Sequence, residues 1–358
     1  MTITVTSERG PYPVMVGAGL TAAPQDILKA LGVSGQVLVV SAPNIWKLHG
    51  KNWRSVAGKR GPVLIADGEK AKTLATVSRL YDAFSDNGLD RAATIVALGG
   101  GVIGDMAGFA AASYLRGLKV VQAPTTVLAQ VDSAIGGKTG VNLPAGKNLV
   151  GAFHSPAAVI CDPDVLATLP RREFRAGLYE VIKYGVISAP ALLETIMRDS
   201  HAIFDRRGDV LTPLIAECCR IKATVVMADE REGGPRRALN FGHTIGHALE
   251  SITKYRRFRH GEAIGYGMLA AAEISKNRKL MTAADQTRLQ QVVRSLGPLP
   301  TVADLKIKEA IAAMTLDKKV VAGTLHFVAA KGIGATQSLS DVTTDELKAA
   351  LIAIGLRA

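Results

Sequence analysis

Short runs of β-branched and apolar residues alternate with helix-forming segments in the first part of the chain. The candidate strands are Gln36–Ser41, Val63–Ala66, Thr94–Leu98, Lys119–Ala123 and Ala158–Cys161, and the clearest helical pattern between them is Ala71–Asp86. Parallel strands need long crossover connections, which are usually helices, so this alternation predicts a doubly wound parallel sheet. We therefore expect a Rossmann-like α/β domain over residues 1–162.

The pattern changes after Asp162-Pro163-Asp164, where turn-forming residues mark a junction. Helical periodicity then dominates in Arg172–Ile187, Leu192–Phe204, Val210–Met227, Gly242–Thr253, His260–Leu280 and Ala283–Leu296. Thr343 and Glu346 have the spacing of a capping box and predict the start of a last helix. The sequence thus predicts an all-α domain over residues 163–358.

Composition excludes several classes of protein. The chain is 48% hydrophobic, yet no apolar run reaches the ~18–20 residues that a membrane span needs. The N-terminus lacks the basic start and apolar core of a signal peptide, so we expect a cytoplasmic protein without membrane partners. Three cysteines, Cys161, Cys218 and Cys219, do not suggest a disulfide framework, because two are adjacent and one is left over.

The net charge of +12 is compatible with nucleic acid, a membrane surface or small anions as partners. Aromatic residues make up only 5% of the chain, and the basic residues are scattered along it. We find no helix-turn-helix, aromatic stacking platform or dense basic stripe, so a nucleic-acid-binding protein is disfavoured. An anionic small-molecule substrate is the better interpretation.

Three of the seven histidines lie within one short stretch and predict a metal site. His243 and His247 are four residues apart, which places them on one helical face, and His260 follows a short basic segment. Two imidazoles with a more distant carboxylate form a divalent transition-metal site, most often for zinc. Glu180 and Lys183 lie in an apolar helical pattern, which favours an inward role with Glu180 as the third ligand; a surface ion pair is the alternative.

Two glycine-containing segments follow predicted strands and are suited to a nucleotide. Leu98-Gly-Gly-Gly-Val-Ile-Gly-Asp105 leads into a helix of small residues, where backbone N–H groups and the helix dipole favour a pyrophosphate. Its spacing departs from G-x-G-x-x-G, so a tight turn without a ligand is the alternative. Asp67-Gly-Glu69-x-x-Lys72 offers carboxylates to ribose hydroxyls, or is a helix N-cap with an acidic first turn.

A third segment places lysines among glycines, hydroxyls and amides. It runs from Pro124-Thr125-Thr126 through Asp132 and Gly136-Gly-Lys138-Thr-Gly to Gly146-Lys147-Asn148. Such a composition predicts a loop that holds phosphate. The P-loop spacing is absent, which disfavours a Walker-type ATPase.

Together, these motifs resemble the 3-dehydroquinate synthase family, one of the sugar-phosphate cyclases. They occur in the family's order along nearly the whole chain: D-G-E-x-x-K, G-G-x-x-G-D, P-T-T, D-x-x-x-G-G-K-T-G, G-K-N, E-x-x-K, N-F-G-H-T-x-G-H-A-x-E and H-G-E. The resemblance implies conversion of 3-deoxy-D-arabino-heptulosonate 7-phosphate to 3-dehydroquinate and phosphate, with bound NAD and a zinc or cobalt ion. It also implies a homodimer.

The resemblance also implies roles for individual residues. The implied metal ligands are Glu180, His243 and His260, whereas spacing alone would select the pair His243 and His247. The implied catalytic set is His247 for proton transfer, with Lys138, Lys183, Asp132 and Asn148. The implied substrate-binding set is Arg116, Lys147, Lys222, Arg236, Asn240 and Lys318, with Lys319 as the alternative to Lys318. The implied cofactor-binding set is Asp67, Glu69, Lys72, Gly100, Gly101, Val102, Ile103, Gly104, Asp105, Thr125, Thr126, Lys138, Lys147 and Thr168.

Some residues depart from the family pattern, and two rival enzymes remain. Ala134 replaces a common serine, and His326 stands where arginine is expected; the run Arg256-Arg-x-Arg259 is expected to be a solvated loop.

Other sugar-phosphate cyclases, such as those that form deoxy-inosose or valiolone, are the nearest alternatives. A metal-dependent polyol dehydrogenase is a more distant one, which would form NADH in net amounts.

Overall fold

A computed structural model describes residues 1–315, 320–321 and 324–357. The chain forms two compact units, the first containing Met1–Pro170 and Arg206–Arg231, the second containing Arg171–Asp205 and Glu232–Ala358. No helix in the described part of the chain is long and apolar enough to span a membrane.

The strands, in chain order, are β1 (Thr2–Ser7), β2 (Gly10–Val16), β3 (Val37–Ser41), β4 (Val63–Leu64), β5 (Thr94–Gly99), β6 (Lys119–Pro124), β7 (Lys138–Leu143), β8 (Gly146–Phe153), β9 (Ala158–Cys161), β10 (Val320–Val321), β11 (Thr324–Leu325), β12 (Phe327–Ala330) and β13 (Thr336–Leu339). The helices are α1 (Pro24–Ala30), α2 (Pro43–Ala57), α3 (Leu74–Asp86), α4 (Gly101–Ser113), α5 (Arg171–Ile187), α6 (Ala191–Arg198), α7 (Ser200–Phe204), α8 (Gly208–Ala228), α9 (His243–Ile252), α10 (His260–Asn277), α11 (Ala283–Ser295), α12 (Ile307–Thr315) and α13 (Thr344–Ala353).

The first unit is built on a seven-stranded sheet in the order β1-β2-β9-β6-β5-β3-β4. Only β1 and β2 pair antiparallel, and every other neighbouring pair is parallel. Strand β5 is buried along its whole length, as the apolar run Thr94–Leu98 predicts for a central parallel strand. Trp53, Phe84 and Met106 fill the core around it. The predicted Rossmann-like parallel sheet is confirmed.

The glycine- and lysine-rich segment that was expected to be a loop is instead the antiparallel hairpin β7–β8. Its glycines allow close backbone contact, because a Cβ on Gly151 would lie 2.0 Å from Thr139 O. Thr139 pairs with Ala152 and Val141 with Val150, so small and β-branched side chains support the strand pairing. The prediction of a phosphate-holding loop was therefore wrong in its secondary structure.

Helix α8 shows why the sequence could not place every helix in its unit. It falls within residues 163–358, the range predicted for the helical domain, yet it packs on β1 and on the π-helical turn Ala129–Ser133 of the first unit. There Cys219 Sγ lies 3.3 Å from Gln130 O. Helical periodicity reveals that a face is apolar, but it does not identify the surface that covers this face.

The second unit is mainly helical, in agreement with the prediction, and α10 packs against both α5 and α9. Glycine permits these contacts, because a Cβ on Gly261 would lie 1.8 Å from Ala176 O. The unit also contains the short hairpin β12–β13, which an all-α prediction did not include. The predicted helix Leu192–Phe204 is divided at Asp199 into α6 and α7.

The capping box predicted for the last helix is present at the start of α13. Thr343 Oγ1 accepts a hydrogen bond from Glu346 N at 3.2 Å, and Glu346 Oε2 accepts one from Thr343 N at 2.8 Å. These two bonds satisfy N–H groups that an isolated helix end would leave open.

Candidate functional site

Three helices of the second unit bring Glu180, Lys183, His243 and His260 together. Glu180 and Lys183 lie one turn apart on α5, both fully buried, and Lys183 Nζ contacts Glu180 Oε2. His243 begins α9 and His260 begins α10, with their Nε2 atoms 3.8 Å and 3.6 Å from Glu180 Oε1. Donor atoms around a tetrahedral zinc ion are about 3.3 Å apart. The Glu180, His243 and His260 side chains therefore fit a metal ion with only small adjustments.

The outward nitrogens of both histidines are directed to oxygen acceptors. His243 Nδ1 lies 3.1 Å from Phe241 O, and His260 Nδ1 lies 3.1 Å from Glu250 Oε2. Since a carbonyl and a carboxylate accept hydrogen bonds, each Nδ1 is placed to donate one, which makes Nε2 the nitrogen that would bind a metal. This arrangement is typical of metal-ligating histidines.

His247 belongs to the same cluster. The possible ligand atoms of His243, His247 and His260 all lie within 4.8 Å of one another. The ring centroids of His247 and His243 are 5.3 Å apart, and those of His247 and His260 are 5.8 Å apart. The structure therefore brings together both the pair that spacing selects and the set that the family resemblance implies.

Ion pairs hold the segment that precedes His260. Glu262 is fully buried and accepts hydrogen bonds from Arg172, Arg175 and the backbone N–H of Arg259. Burial alone would raise the pKa of Glu262, but these three donors outweigh it and hold the pKa below its usual value.

The basic run that was expected to be a solvated loop also forms ion pairs. Arg257 binds Asp304 at 2.6 Å, and Arg259 Nε lies 2.5 Å from Glu173 Oε1. The start of α10, and with it His260, is therefore anchored by several contacts.

In the first unit, the predicted nucleotide-binding turn lies at the carboxyl ends of β5 and β6. Thr125 N donates to Gly99 O at 2.9 Å, which places Thr125 and Thr126 beside the start of α4. Gly100 is the N-cap of α4 and provides no side-chain cap, so the first N–H groups of the helix can receive an anion. A Cβ on Gly101 would lie 2.9 Å from Ser133 Oγ, so a larger residue at this position would require the Ser133 side chain to rotate.

A polar network joins the other predicted cofactor residues. Lys72 is buried, contacts the Asp105 carboxylate and donates to Asn148 Oδ1 at 2.5 Å. Burial raises the pKa of Asp105, and the cation of Lys72 opposes this effect.

The tip of the β7–β8 hairpin extends this network. Asn142 Nδ2 donates to Glu69 Oε1 at 2.9 Å, and Asn142 Oδ1 accepts from Asn148 N at 2.9 Å. Lys147 Nζ lies 3.8 Å from Glu69 Oε1. Asn142 was not assigned a role from the sequence, because its side-chain partner Glu69 is 73 residues away along the chain.

Lys222, which is buried, and Asp132, which is partly buried, form a second ion pair in the first unit. Lys222 projects from α8 and contacts the Asp132 carboxylate in the π-helical turn. Turns of this kind are frequent at functional sites. The structure thus joins two residues predicted from separate motifs.

The remaining predicted residues are less closely grouped. Asp67 is exposed and accepts from Gly68 N, while Thr168 Oγ1 lies 3.0 Å from His49 Nε2. Arg116 lies just after the carboxyl end of α4, and Gly100 lies just before its amino end. Since α4 is about 20 Å long, the structure does not bring these two residues together. Lys138 is the exposed first residue of β7.

The substrate-binding residues predicted in the second unit include Arg236, which is fully buried. Asn240 Nδ2 donates to Glu232 Oε1 at 2.5 Å, and Glu232 was not assigned a role from the sequence. Lys318 and its alternative Lys319 lie outside the described residues.

Comparisons with known proteins cover most of the chain. The model of the 3-dehydroquinate synthase N-terminal domain matches residues 62–176, and the model of its C-terminal domain matches residues 177–320. A 3-dehydroquinate synthase from Nostoc sp. is 47% identical over 331 residues, which span 90% of this chain and 91% of that protein.

Two solved structures have the same fold. The 2-epi-5-epi-valiolone synthase from Streptomyces hygroscopicus subsp. jinggangensis, with NAD⁺ and Zn²⁺ bound, is 28% identical, has a TM-score of 0.85 and matches over 96% of both chains. A 2-deoxy-scyllo-inosose synthase complexed with carbaglucose-6-phosphate, NAD⁺ and Co²⁺ is 26% identical, has a TM-score of 0.83 and matches over 99% of both chains.

Proposed function

The chain belongs to the 3-dehydroquinate synthase family, and we propose that it converts 3-deoxy-D-arabino-heptulosonate 7-phosphate to 3-dehydroquinate and phosphate. This carbon–oxygen lyase reaction belongs to the shikimate pathway of aromatic amino acid biosynthesis. The observation that carries the proposal is the convergence of His243 Nε2 and His260 Nε2 on Glu180 Oε1, with Lys183 on the other carboxylate oxygen. A metal-ligand set directly beside a buried cation suits an anionic, hydroxylated substrate.

NAD and a zinc or cobalt ion are the proposed cofactors, and both are bound in the similar cyclase structures. When bound, NAD takes up and returns a hydride, while the metal ion polarises the hydroxyl that is oxidised and the carbonyl formed from it. We propose that the N-terminus of α4, Thr125, Thr126 and the Lys72–Asp105 pair bind NAD. The helix N-terminus provides N–H donors and a positive dipole end for the pyrophosphate.

Glu180, His243 and His260 are the proposed metal ligands. Both histidines present Nε2 to one oxygen of Glu180, and a carboxylate buried as completely as this one is stabilised by nearby positive charge. His247 is then the proposed proton-transfer residue beside the metal. A neutral imidazole is well suited to this role at physiological pH.

The proposed reaction begins with oxidation of a ring hydroxyl to a ketone, which acidifies the neighbouring C–H bond and permits β-elimination of phosphate. Re-reduction, ring opening and intramolecular aldol closure follow, so NAD returns to its starting state. The proposed task of Lys138, Lys183, Lys222, Arg236 and Asn240 is to hold the phosphate, carboxylate and hydroxyl groups. Asp132, which Lys222 contacts, is the proposed carboxylate at the nicotinamide.

The proposal is tested by measuring phosphate release from 3-deoxy-D-arabino-heptulosonate 7-phosphate with trace NAD⁺ and zinc, while the NADH absorbance is followed. Stoichiometric phosphate without accumulated NADH, abolished by a chelator, is the expected result. Release of phosphate from a different sugar phosphate alone would identify another cyclase of the superfamily. Net NADH from polyols without phosphate release would identify a dehydrogenase and refute the proposal.

Two further predictions concern the protein as a whole. We propose a homodimer, as the family resemblance implies, which sedimentation equilibrium would test. We also propose a cytoplasmic location, which fractionation of the source cells would test.

A further inference from the structure

Two carboxylates lie near the ring of His260, and they differ in how they contact it. Glu180 faces Nε2 at 3.6 Å, on the side of the proposed metal. Glu250 contacts the opposite nitrogen, with Oε2 at 3.1 Å from Nδ1. A carboxylate on Nδ1 determines the tautomer of the ring and the direction of its Nε2 lone pair.

Glu250 is itself held in a buried position. Its side chain is 5% exposed, although it lies in the last turn of α9. A buried carboxylate is costly unless hydrogen bonds or charges compensate it, and the His260 N–H provides such a bond.

The connection between α9 and α10 is shaped to bring these two residues together. Lys254 and Tyr255 both adopt left-handed backbone conformations, with φ of 52° and 55°. Non-glycine residues adopt this conformation at some energetic cost. Tyr255 N donates to Glu250 O at 2.8 Å, so the chain turns back directly after α9. His260 follows Glu250 by ten positions, and this turn returns the chain to within hydrogen-bond distance.

We propose that Glu250 is a positioning residue that holds the His260 ring with Nε2 directed at the metal site. This proposal rests on the proposed function in one respect, namely that His260 is a metal ligand. The equivalent contact of His243 is made by a backbone carbonyl, Phe241 O, which substitution does not remove. Glu250 is therefore the position at which mutation can test the orientation of a ligating ring. Substitutions of such partners typically weaken metal binding about 10- to 100-fold.

The experiment measures Zn²⁺ affinity of the full-length, metal-stripped protein by competition with a chromophoric chelator. The variants are Glu250→Gln, which keeps the side-chain shape, and Glu250→Asp, which keeps the charge but withdraws the oxygens from Nδ1. His260→Ala is the positive control. Glu309→Gln is the matched control, because Glu309 is exposed and its ion pair with Lys306, at 3.5 Å, is exposed as well.

The proposal predicts that Glu250→Gln and Glu250→Asp weaken Zn²⁺ binding about 10- to 100-fold. The visible spectrum of bound Co²⁺ should change, and the thermal midpoint of the metal-free protein is measured to separate a loss of stability from a loss of ligand orientation. Glu309→Gln should match the wild type in all three measurements. If one Glu250 variant does not fold, the other is sufficient for the test.

Three results would count against the proposal, and they differ in what they refute. Wild-type affinity in the Glu250 variants, with loss in His260→Ala, would overturn the role of Glu250 but leave the proposed ligand set intact. A lower thermal midpoint with an unchanged Co²⁺ spectrum would show that Glu250 has only a structural role. Wild-type affinity in His260→Ala would refute the proposed ligand set itself.

Discussion

Replacement of Glu262 by glutamine removes a negative charge that the structure buries completely. Its two oxygens accept hydrogen bonds from Arg172 Nε at 2.8 Å and Nη2 at 2.7 Å, from Arg175 Nη2 at 3.0 Å and from Arg259 N at 2.9 Å. The bond pair from Arg172 is bidentate, which is the strongest geometry for a guanidinium and a carboxylate. The substitution leaves two cations facing an uncharged amide.

The exposure of the two arginines determines the size of the effect. Breaking a fully buried ion pair costs about 3–5 kcal/mol. Arg172 is 46% exposed, so water compensates much of its loss, whereas Arg175 is 18% exposed and stays largely buried. Glutamine retains one oxygen that can accept a hydrogen bond. We therefore expect Glu262→Gln to lower the free energy of unfolding by about 2–4 kcal/mol at pH 7.

The effect should depend on pH in a defined direction. Since the pKa of Glu262 in the folded protein lies below its usual value, its contribution is fully present above the unfolded-state pKa of about 4.3. The contribution is lost as the pH falls through the lower folded-state pKa. The difference in unfolding free energy between the wild type and Glu262→Gln should thus be constant near neutral pH and shrink below about pH 4.

Urea unfolding followed by far-ultraviolet circular dichroism is the suitable assay. Both tryptophans, Trp46 and Trp53, lie in the first unit, so tryptophan fluorescence would not report on the second unit, which contains Glu262. Glu309→Gln is the charge-matched control, and its exposed pair with Lys306 should contribute at most about 1 kcal/mol. A loss below about 1 kcal/mol in Glu262→Gln, or a difference that persists unchanged at low pH, would refute this reasoning.

Three other predictions concern the metal, the cofactor and the last helix. His243→Ala should abolish metal binding, whereas His247→Ala should keep the metal and lower kcat about 10²- to 10⁴-fold; equal metal content in the two purified variants would contradict this division of roles. Lys72→Met leaves the Asp105 carboxylate without its cation and should raise the Kd for NAD about tenfold or more in calorimetric titrations, and an unchanged Kd would exclude Lys72 from the cofactor site. Thr343→Ala removes the cap of α13 and should cost about 1 kcal/mol of unfolding free energy, while Thr343→Ser should restore most of it.

The fold could be predicted from the sequence where a local pattern determines the structure. The apolar run at Thr94–Leu98 is a central strand, and the Thr343–Glu346 spacing is a capping box. The β7–β8 hairpin was missed because its glycines were interpreted as ligand-binding positions, although they allow two backbones to approach. Periodicity also could not place α8, because an apolar face is equally compatible with a helical neighbour or with a sheet.

For the functional residues, the sequence by itself determined which chemical groups are available. The His243–His247 spacing predicted a metal site, and the glycines that follow β5 predicted an anion-binding turn. These inferences were possible because neighbouring residues on one helix, or in one turn, share a local geometry.

Only the tertiary structure decided which of those groups meet. It directs His243 and His260 to Glu180, pairs Lys222 with Asp132, and places Glu250 behind His260. These contacts join residues on different helices and turns, and they depend on packing that no local pattern encodes. Spacing along the chain determines which residues are neighbours within one helix or strand. Contacts between helices and strands form because they bury apolar surface and compensate buried charge.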